Sequence, residues 1–195
     1  MDRDKLPEGA NILPSIWAFA IKRDPAGEIK KHKARFCVRG DKQIEGVDYV
    51  DSYAPVVSWS TVRIMLSLAI KQGWAPRQVD FSNAFVQATL DEEVYVSLPA
   101  MFQDETGKES KLQVLKLIKS LYGLVQAPRS WFYHLADGFK KLGFKSSKVE
   151  PGVFFGQGMV VISWLDDCLF FGPDKSKIDK IRSWNHGIPG YTRRH

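Results

Sequence analysis

Apolar and polar positions along this chain fall into periods that mark out most of its elements. Residues 15–22 (SIWAFAIK) form an aromatic and apolar run of strand character, closed by the turn sequence Asp24-Pro25-Ala26-Gly27. Residues 34–39 (ARFCVR) alternate, with Phe36 and Val38 on one face and Arg35, Cys37 and Arg39 on the other. The two runs are expected to pair as a hairpin whose connection carries Lys30, Lys31, His32 and Lys33, a basic-tipped ribbon. Val62, Met65, Leu66, Ala69 and Ile70 then repeat at helical spacing, one apolar stripe with Ser60 or Thr61 to cap its start and Gly73 after its end.

The second half continues in the same way. Residues 78–81 (QVDF) form a short strand, and residues 93–98 and 112–117 alternate as strands around a polar, loop-like stretch, 103–111. Pro128 opens a helix at the turn where proline is tolerated, with Trp131, Leu135, Phe139 and Leu142 as its buried stripe and Gly143 at its close. Val153-Phe154-Phe155, a Gly156-Gln157-Gly158 turn, residues 159–165 and residues 168–171 follow as β runs, and Asp174 caps a last helix from Lys175. This order of elements predicts an α+β fold with an antiparallel sheet.

Composition narrows the class. The 195 residues suffice for one full domain or two small lobes, and 44% hydrophobic with 26% charged residues exclude a disordered or low-complexity chain. The longest uncharged run, residues 151–165, is shorter than the about 20 residues a bilayer-spanning helix needs. The N-terminal MDRDKLPEGA has no apolar secretory core, and Cys37 and Cys168 lie far apart with no CxxC. A soluble, intracellular protein is expected. The net charge of +6 is uneven: residues 20–45 carry +4, residues 168–195 carry +4, and the middle is nearly neutral. That pattern suits either a solvated charged face or a surface for a polyanion.

Asp166-Asp167, framed by apolar β runs, is the most informative feature. Asp is common in hairpin turns, but the usual two-residue turns favour Asn-Gly or Asp-Gly, and adjacent carboxylates repel. A divalent cation removes that repulsion, because hard cations prefer carboxylate oxygens. Asp80, between Val79 and Phe81, is the natural third carboxylate, or else a strand-end cap for the turn at Ser82. Three carboxylates holding two ions would suit phosphoryl transfer.

A series of blocks in one order gives a family resemblance over residues 7–181. The blocks are Lys33-Ala34-Arg35 with Arg39-Gly40; Gly46-Val47-Asp48-Tyr49; Tyr53-Ala54-Pro55-Val56; and Val79-Asp80-Phe81-Ser82-Asn83-Ala84-Phe85. Then come Glu92-Glu93-Val94-Tyr95-Val96 with Pro99, Leu121-Tyr122-Gly123-Leu124, Gln126-Ala127-Pro128-Arg129-Ser130-Trp131 and Leu165-Asp166-Asp167. Together they resemble the reverse transcriptase domain of copia-type long-terminal-repeat retrotransposons.

The resemblance implies right-hand fingers and palm over residues 1–181, with an antiparallel palm sheet and the thumb largely missing. It implies an RNA-directed DNA polymerase that extends a primer 3′ hydroxyl on an RNA or DNA template with deoxynucleoside triphosphates, using two Mg²⁺ or Mn²⁺ ions. By the same token Asp80, Asp166 and Asp167 match the metal-binding aspartates, and Phe85 the aromatic under the incoming sugar. Gln126 matches the glutamine at nucleotide and template, and Lys33 and Arg35 the triphosphate cations. Lys30, Lys31 and Arg39 fall where nucleic acid is met. The setting implied is a cytoplasmic particle or the nucleus, with no membrane and the oligomeric state open. Two departures stand out: Trp164-Leu165 replaces the family's Tyr or Phe plus apolar residue, and residues 182–195 leave the family pattern. The alternatives are a truncated, catalytically inactive remnant that at most binds nucleic acid, or another two-metal phosphotransferase or nuclease.

Overall fold

A computed structural model describes residues 2–99, 102, 113–182 and 191–192. In chain order the elements are β1 (Ile12–Leu13), β2 (Ser15–Arg23), β3 (Ile29–Val38), α1 (Trp59–Lys71), β4 (Arg77–Phe81), β5 (Tyr95–Ser97) and β6 (Val114–Lys116). They continue as α2 (Ala127–Lys141), β7 (Lys145–Ser146), β8 (Val153–Gly156), β9 (Met159–Trp164), β10 (Asp167–Phe171), α3 (Lys175–Arg182) and β11 (Tyr191–Thr192). The mixed α+β class is as expected. The stretch 103–111 and, in the tail, residues 183–190 and 193–195 lie outside the described residues. The chain divides into two compact units: Met1–Ser52 with Thr89–Ala127, and Tyr53–Ala88 with Pro128–His195.

The first unit holds an antiparallel ribbon, β2 with β3, and a small sheet in the order β1-β5-β6, whose β1–β5 pair is parallel. The ribbon corrects one expectation: its connection is the Asp24–Gly27 turn, and Lys30, Lys31, His32 and Lys33 lie within β3. Asp24 closes that turn by accepting from the Ala26 and Glu28 amides, so the reversal needs no basic residue.

Gly40 and Gly123 explain why two of the family blocks come together. The Val38 amide donates to the Tyr122 carbonyl at 2.8 Å. A Cβ on Gly123, whose φ is +93°, would sit 2.1 Å from the Val38 oxygen, and one on Gly40 would sit 2.0 Å from the Gly123 oxygen. Backbone meets backbone there, so nothing soft can yield. Gly123→Ala is expected to cost about 3 kcal/mol or more, overpacking and left-handed strain together. Urea unfolding of the variant beside Gly46→Ala, where φ is also positive but no atom stands in the way, separates the clash from the strain.

The second unit is a six-stranded sheet, β11-β4-β10-β9-β8-β7, with its described pairs antiparallel. Strand alternation gives it two apolar faces. Val79, Phe81, Val161, Cys168 and Phe170 pack against Trp131, Leu135 and Phe139 of α2 and Ile178 of α3. Val153, Ile162 and Phe171 pack against Val62, Met65 and Ala69 of α1. The α1 stripe is narrower than its spacing predicts: Leu66 and Ile70 are exposed, because only one edge of the helix meets the sheet. Its cap is Ser58, before the expected Ser60 or Thr61, and the Ser58 hydroxyl accepts from the Thr61 amide at 3.2 Å.

Glu150 adds a second cap from far along the chain. Its carboxylate accepts from the Ser58 amide and the Thr61 hydroxyl. Burial pushes the Glu150 carboxyl up, but hydrogen bonds from the Ser58 amide and the Thr61 and Ser58 hydroxyls outweigh it and hold the group below the usual range. A depressed folded-state pKa gives stability that is complete above the unfolded value and is lost as pH falls through the folded one. Glu150→Gln should therefore be less stable than the parent at pH 7, with the gap closing below about pH 4. A gap that stays constant across that range would assign Glu150 a packing role alone.

Candidate functional site

β4 and β10 bring the sequence's acidic residues to one end of the second unit. Asp80 and Asp167 are register partners on neighbouring antiparallel strands, so their side chains stand on one face of the sheet, the α1 face. Both are half-buried, and the Gln78 Nε2–H donates to Asp167 Oδ1 at 3.1 Å. Asp166 is exposed in the two-residue turn between β9 and β10. The adjacent aspartates thus separate into a turn residue and a strand residue.

That turn is held under strain. Leu165 has φ of 52°, a conformation that costs an ordinary L-residue about 1–2 kcal/mol. Two bonds hold it in place: the buried Trp131 ring donates Nε1–H to the Leu165 carbonyl at 2.8 Å, and the Phe81 amide donates to the Asp166 carbonyl at 3.0 Å. The Trp131 ring also packs edge-on against Phe81, 5.4 Å between centroids. One side chain therefore ties the helix, the strand after Asp80 and the acidic turn together. Sequence reasoning ranked Trp131 as a stripe residue; its indole N–H is the part of its role that periodicity cannot reveal. Trp164, opposite Asp167 in register, lies against Trp59 of α1 at 5.1 Å, so the first turn of α1 accommodates its bulk.

Hard oxygen donors on two adjacent strands suit a divalent ion. Among the described residues, no three Asp, Glu, His or Cys side chains are gathered closely enough to hold one. The arrangement is an open seat, and Mg²⁺ commonly takes one or two carboxylates and completes its shell with water and phosphate oxygens. The donors present fit such an ion. The neighbouring Cys168 is buried, which pushes its thiol up and leaves it inert beside the carboxylates.

The remaining expected residues lie as follows. Phe85, in the 3₁₀ turn Ala84–Gln87, is half-buried and packs on the core beneath the sheet. In the first unit, Lys31, Lys33 and Arg35 share one face of the ribbon, opposite Lys22, Ala20 and Ala18, and the Arg35 guanidinium lies over the Tyr122 ring at 5.3 Å. Lys30 sits at the register irregularity beside Arg23 and Ile29. Arg39 lies beyond the strand in a bidentate pair with Asp41, at 2.7 and 2.6 Å, which raises its own pKa and lowers that of Asp41. Gln126 is buried, accepting from Gln43 Nε2 and donating to the Asp48 carbonyl, both at 2.9 Å. Asp48 in turn accepts from the Ile44 amide and Asn11 Nδ2, so this network closes within the first unit. Asp48 belongs to the Gly46–Tyr49 block, but neither that block nor any spacing in the sequence marks Asp48 and Asn11 as hydrogen-bonded partners.

Comparison with known proteins adds an independent line. A family model described as reverse transcriptase (RNA-dependent DNA polymerase) matches residues 2–185. The chain is 36% identical over 172 residues to a retrovirus-related Pol polyprotein from transposon RE1 of Arabidopsis thaliana, covering 86% of this chain and 12% of that protein. It is 34% identical over 183 residues to the corresponding polyprotein from transposon TNT 1-94 of Nicotiana tabacum, covering 91% and 14%. A Ty1 Gag-Pol polyprotein of Saccharomyces cerevisiae is 30% identical over 176 residues, covering 87% and 9%. The chain thus spans about one-eighth of the length of its plant relatives.

Proposed function

Because the chain belongs to the reverse transcriptase family of copia-type retrotransposon Pol polyproteins, we propose that it is a polymerase segment that adds deoxynucleotides to a primer 3′ hydroxyl on an RNA template. On this reading the second unit is the palm and the first the fingers. The observation that carries the reading is the register pair Asp80–Asp167 with Asp166 in the adjoining turn, all three within the matched family blocks.

Asp80, Asp166 and Asp167 are the residues that would hold two Mg²⁺ or Mn²⁺ ions. Bound there, such ions supply Lewis acidity toward the attacking hydroxyl and the departing pyrophosphate. The chain's own share is positioning. Gln78 orients Asp167, and Trp131 and the Phe81 amide hold the strained turn that carries Asp166. Lys33 and Arg35, on one ribbon face, are the cations proposed for the triphosphate, with Lys31 beside them and Lys30 at the ribbon's irregular end for template phosphates. Arg39, paired with Asp41, would reach a phosphate only by exchanging that partner. Phe85 is the proposed sugar-side aromatic. Gln126 supports the nucleotide site through the loop it fixes, since both ends of its amide are engaged.

The test is primer extension on an RNA template with Mg²⁺, run beside filter binding of the same primer–template at two salt concentrations. Incorporation that needs the metal supports the reading. Binding that weakens steeply with salt and is accompanied by no incorporation overturns it in favour of a nucleic-acid-binding remnant.

A further inference from the structure

On the α1 face of the sheet lies a pocket that shares Asp167 with the proposed metal site and is otherwise lined by residues to which polymerisation as described gives no contact with substrate or metal. Its volume is about 290 Å³, and it is lined by Trp59 and Val62 of α1 and by Gln78, Ile162, Trp164 and Leu169 of the sheet, with Asp167 as the one charged residue among its described lining. The register explains the composition. Trp164 stands opposite Asp167, Ile162 opposite Leu169, and Leu169 opposite Gln78, so all of them emerge on the same face under the first turns of α1.

We propose that this pocket binds a small, flat aromatic cation, an amine or amidine carried on one or two fused rings. Three features select that chemistry. The Val62, Ile162 and Leu169 side chains make an aliphatic floor that rewards an apolar ring. Two indoles in contact with each other, Trp59 and Trp164, line the pocket with aromatic surface that attracts a cation, and Trp59 remains 64% exposed despite that contact. The Asp167 carboxylate, oriented by Gln78, keeps lone pairs for a charged N–H donor. The described lining contains no cation, so without metal it offers an anion no partner. The volume lies at the lower edge of small-molecule sites, which limits the occupant to one or two rings.

The experiment is isothermal titration of the full chain in metal-free buffer, where Asp167 holds no divalent ion, with 1-naphthylmethylamine, beside 1-naphthalenemethanol as its neutral counterpart and cyclohexylmethylamine as its non-aromatic one. The amine is expected to bind once per chain, about tenfold or more tighter than either comparator, since each lacks one of the two attractions. Asp167→Asn, nearly isosteric and still able to accept from Gln78, should bring the amine down to the level of the alcohol. Trp59→Ala should weaken the amine several-fold and, because the ring is mostly exposed, leave the circular dichroism spectrum unchanged. No saturable binding, equal affinity for amine and alcohol, or an unchanged affinity in Asp167→Asn each overturns the proposal. The readout is binding alone, so a chain without polymerase activity tests it equally well.

Discussion

Asp80→Asn is expected to lower primer extension by at least about 10³-fold if Asp80 holds metal as proposed, because such a ligand is worth several kcal/mol and each 1.36 kcal/mol is a factor of ten. Asp166→Asn and Asp167→Asn should fall as far. Stability should move the other way for at least one of them. Asp80 and Asp167 face each other directly across two strands, and like charges so placed destabilise a sheet, on the scale of about 0.2–1 kcal/mol for a cross-strand pair. Asp167→Asn removes one of the two charges and keeps an acceptor for Gln78. In metal-free buffer it should therefore melt slightly higher than the parent while losing activity. A variant that incorporates nucleotide at the parental rate would remove that residue from the site. A variant that melts lower would show that the carboxylate pair contributes to the fold.

Trp131→Ala is expected to cost about 3–5 kcal/mol, the usual range for emptying a buried aromatic site. That is a large fraction of the about 5–15 kcal/mol that holds a typical domain together. Trp131→Phe separates the two parts of its role. It keeps most of the ring packed against Phe81 and Leu135 but removes the donor to the Leu165 carbonyl, a net loss of about 0.5–1.5 kcal/mol. Its signature lies in function: with the turn released from one of its two ties, nucleotide addition should fall more than the small change in urea midpoint accounts for. If activity tracks stability alone in both variants, Trp131 is a core residue and nothing more.

Much of the fold was legible because burial imposes a period. The α2 stripe of Trp131, Leu135 and Phe139 is buried as its spacing predicts, and the apolar runs of residues 159–165 and 168–171 form β9 and β10, covered on both faces of the sheet. The errors fall where burial gives no signal. The sequence predicts Lys30 to Lys33 in a turn, yet they lie within β3, because that end of the two-stranded ribbon is mostly exposed and tolerates lysine. The helical spacing predicts Leu66 and Ile70 in the core, yet both are exposed, because hydrophobic spacing shows which residues could pack and not how wide the facing sheet is.

The site divides along the same line. The choice of Asp80, Asp166 and Asp167 came from residue type and from the order of blocks, both properties of the chain alone. The family and the α+β class were accessible on the same basis. Register, turn geometry and cross-chain ties were not, because they depend on contacts between residues tens of positions apart. Only the tertiary structure puts Asp80 opposite Asp167, exposes Asp166 in the turn after left-handed Leu165, and supplies Trp131 and Glu150 as distant ties to the elements around it. A linear pattern records what each residue prefers to be near. Which partner it meets is decided when the sheet pairs, and a shift of one residue in that pairing would turn Asp167 away from Asp80.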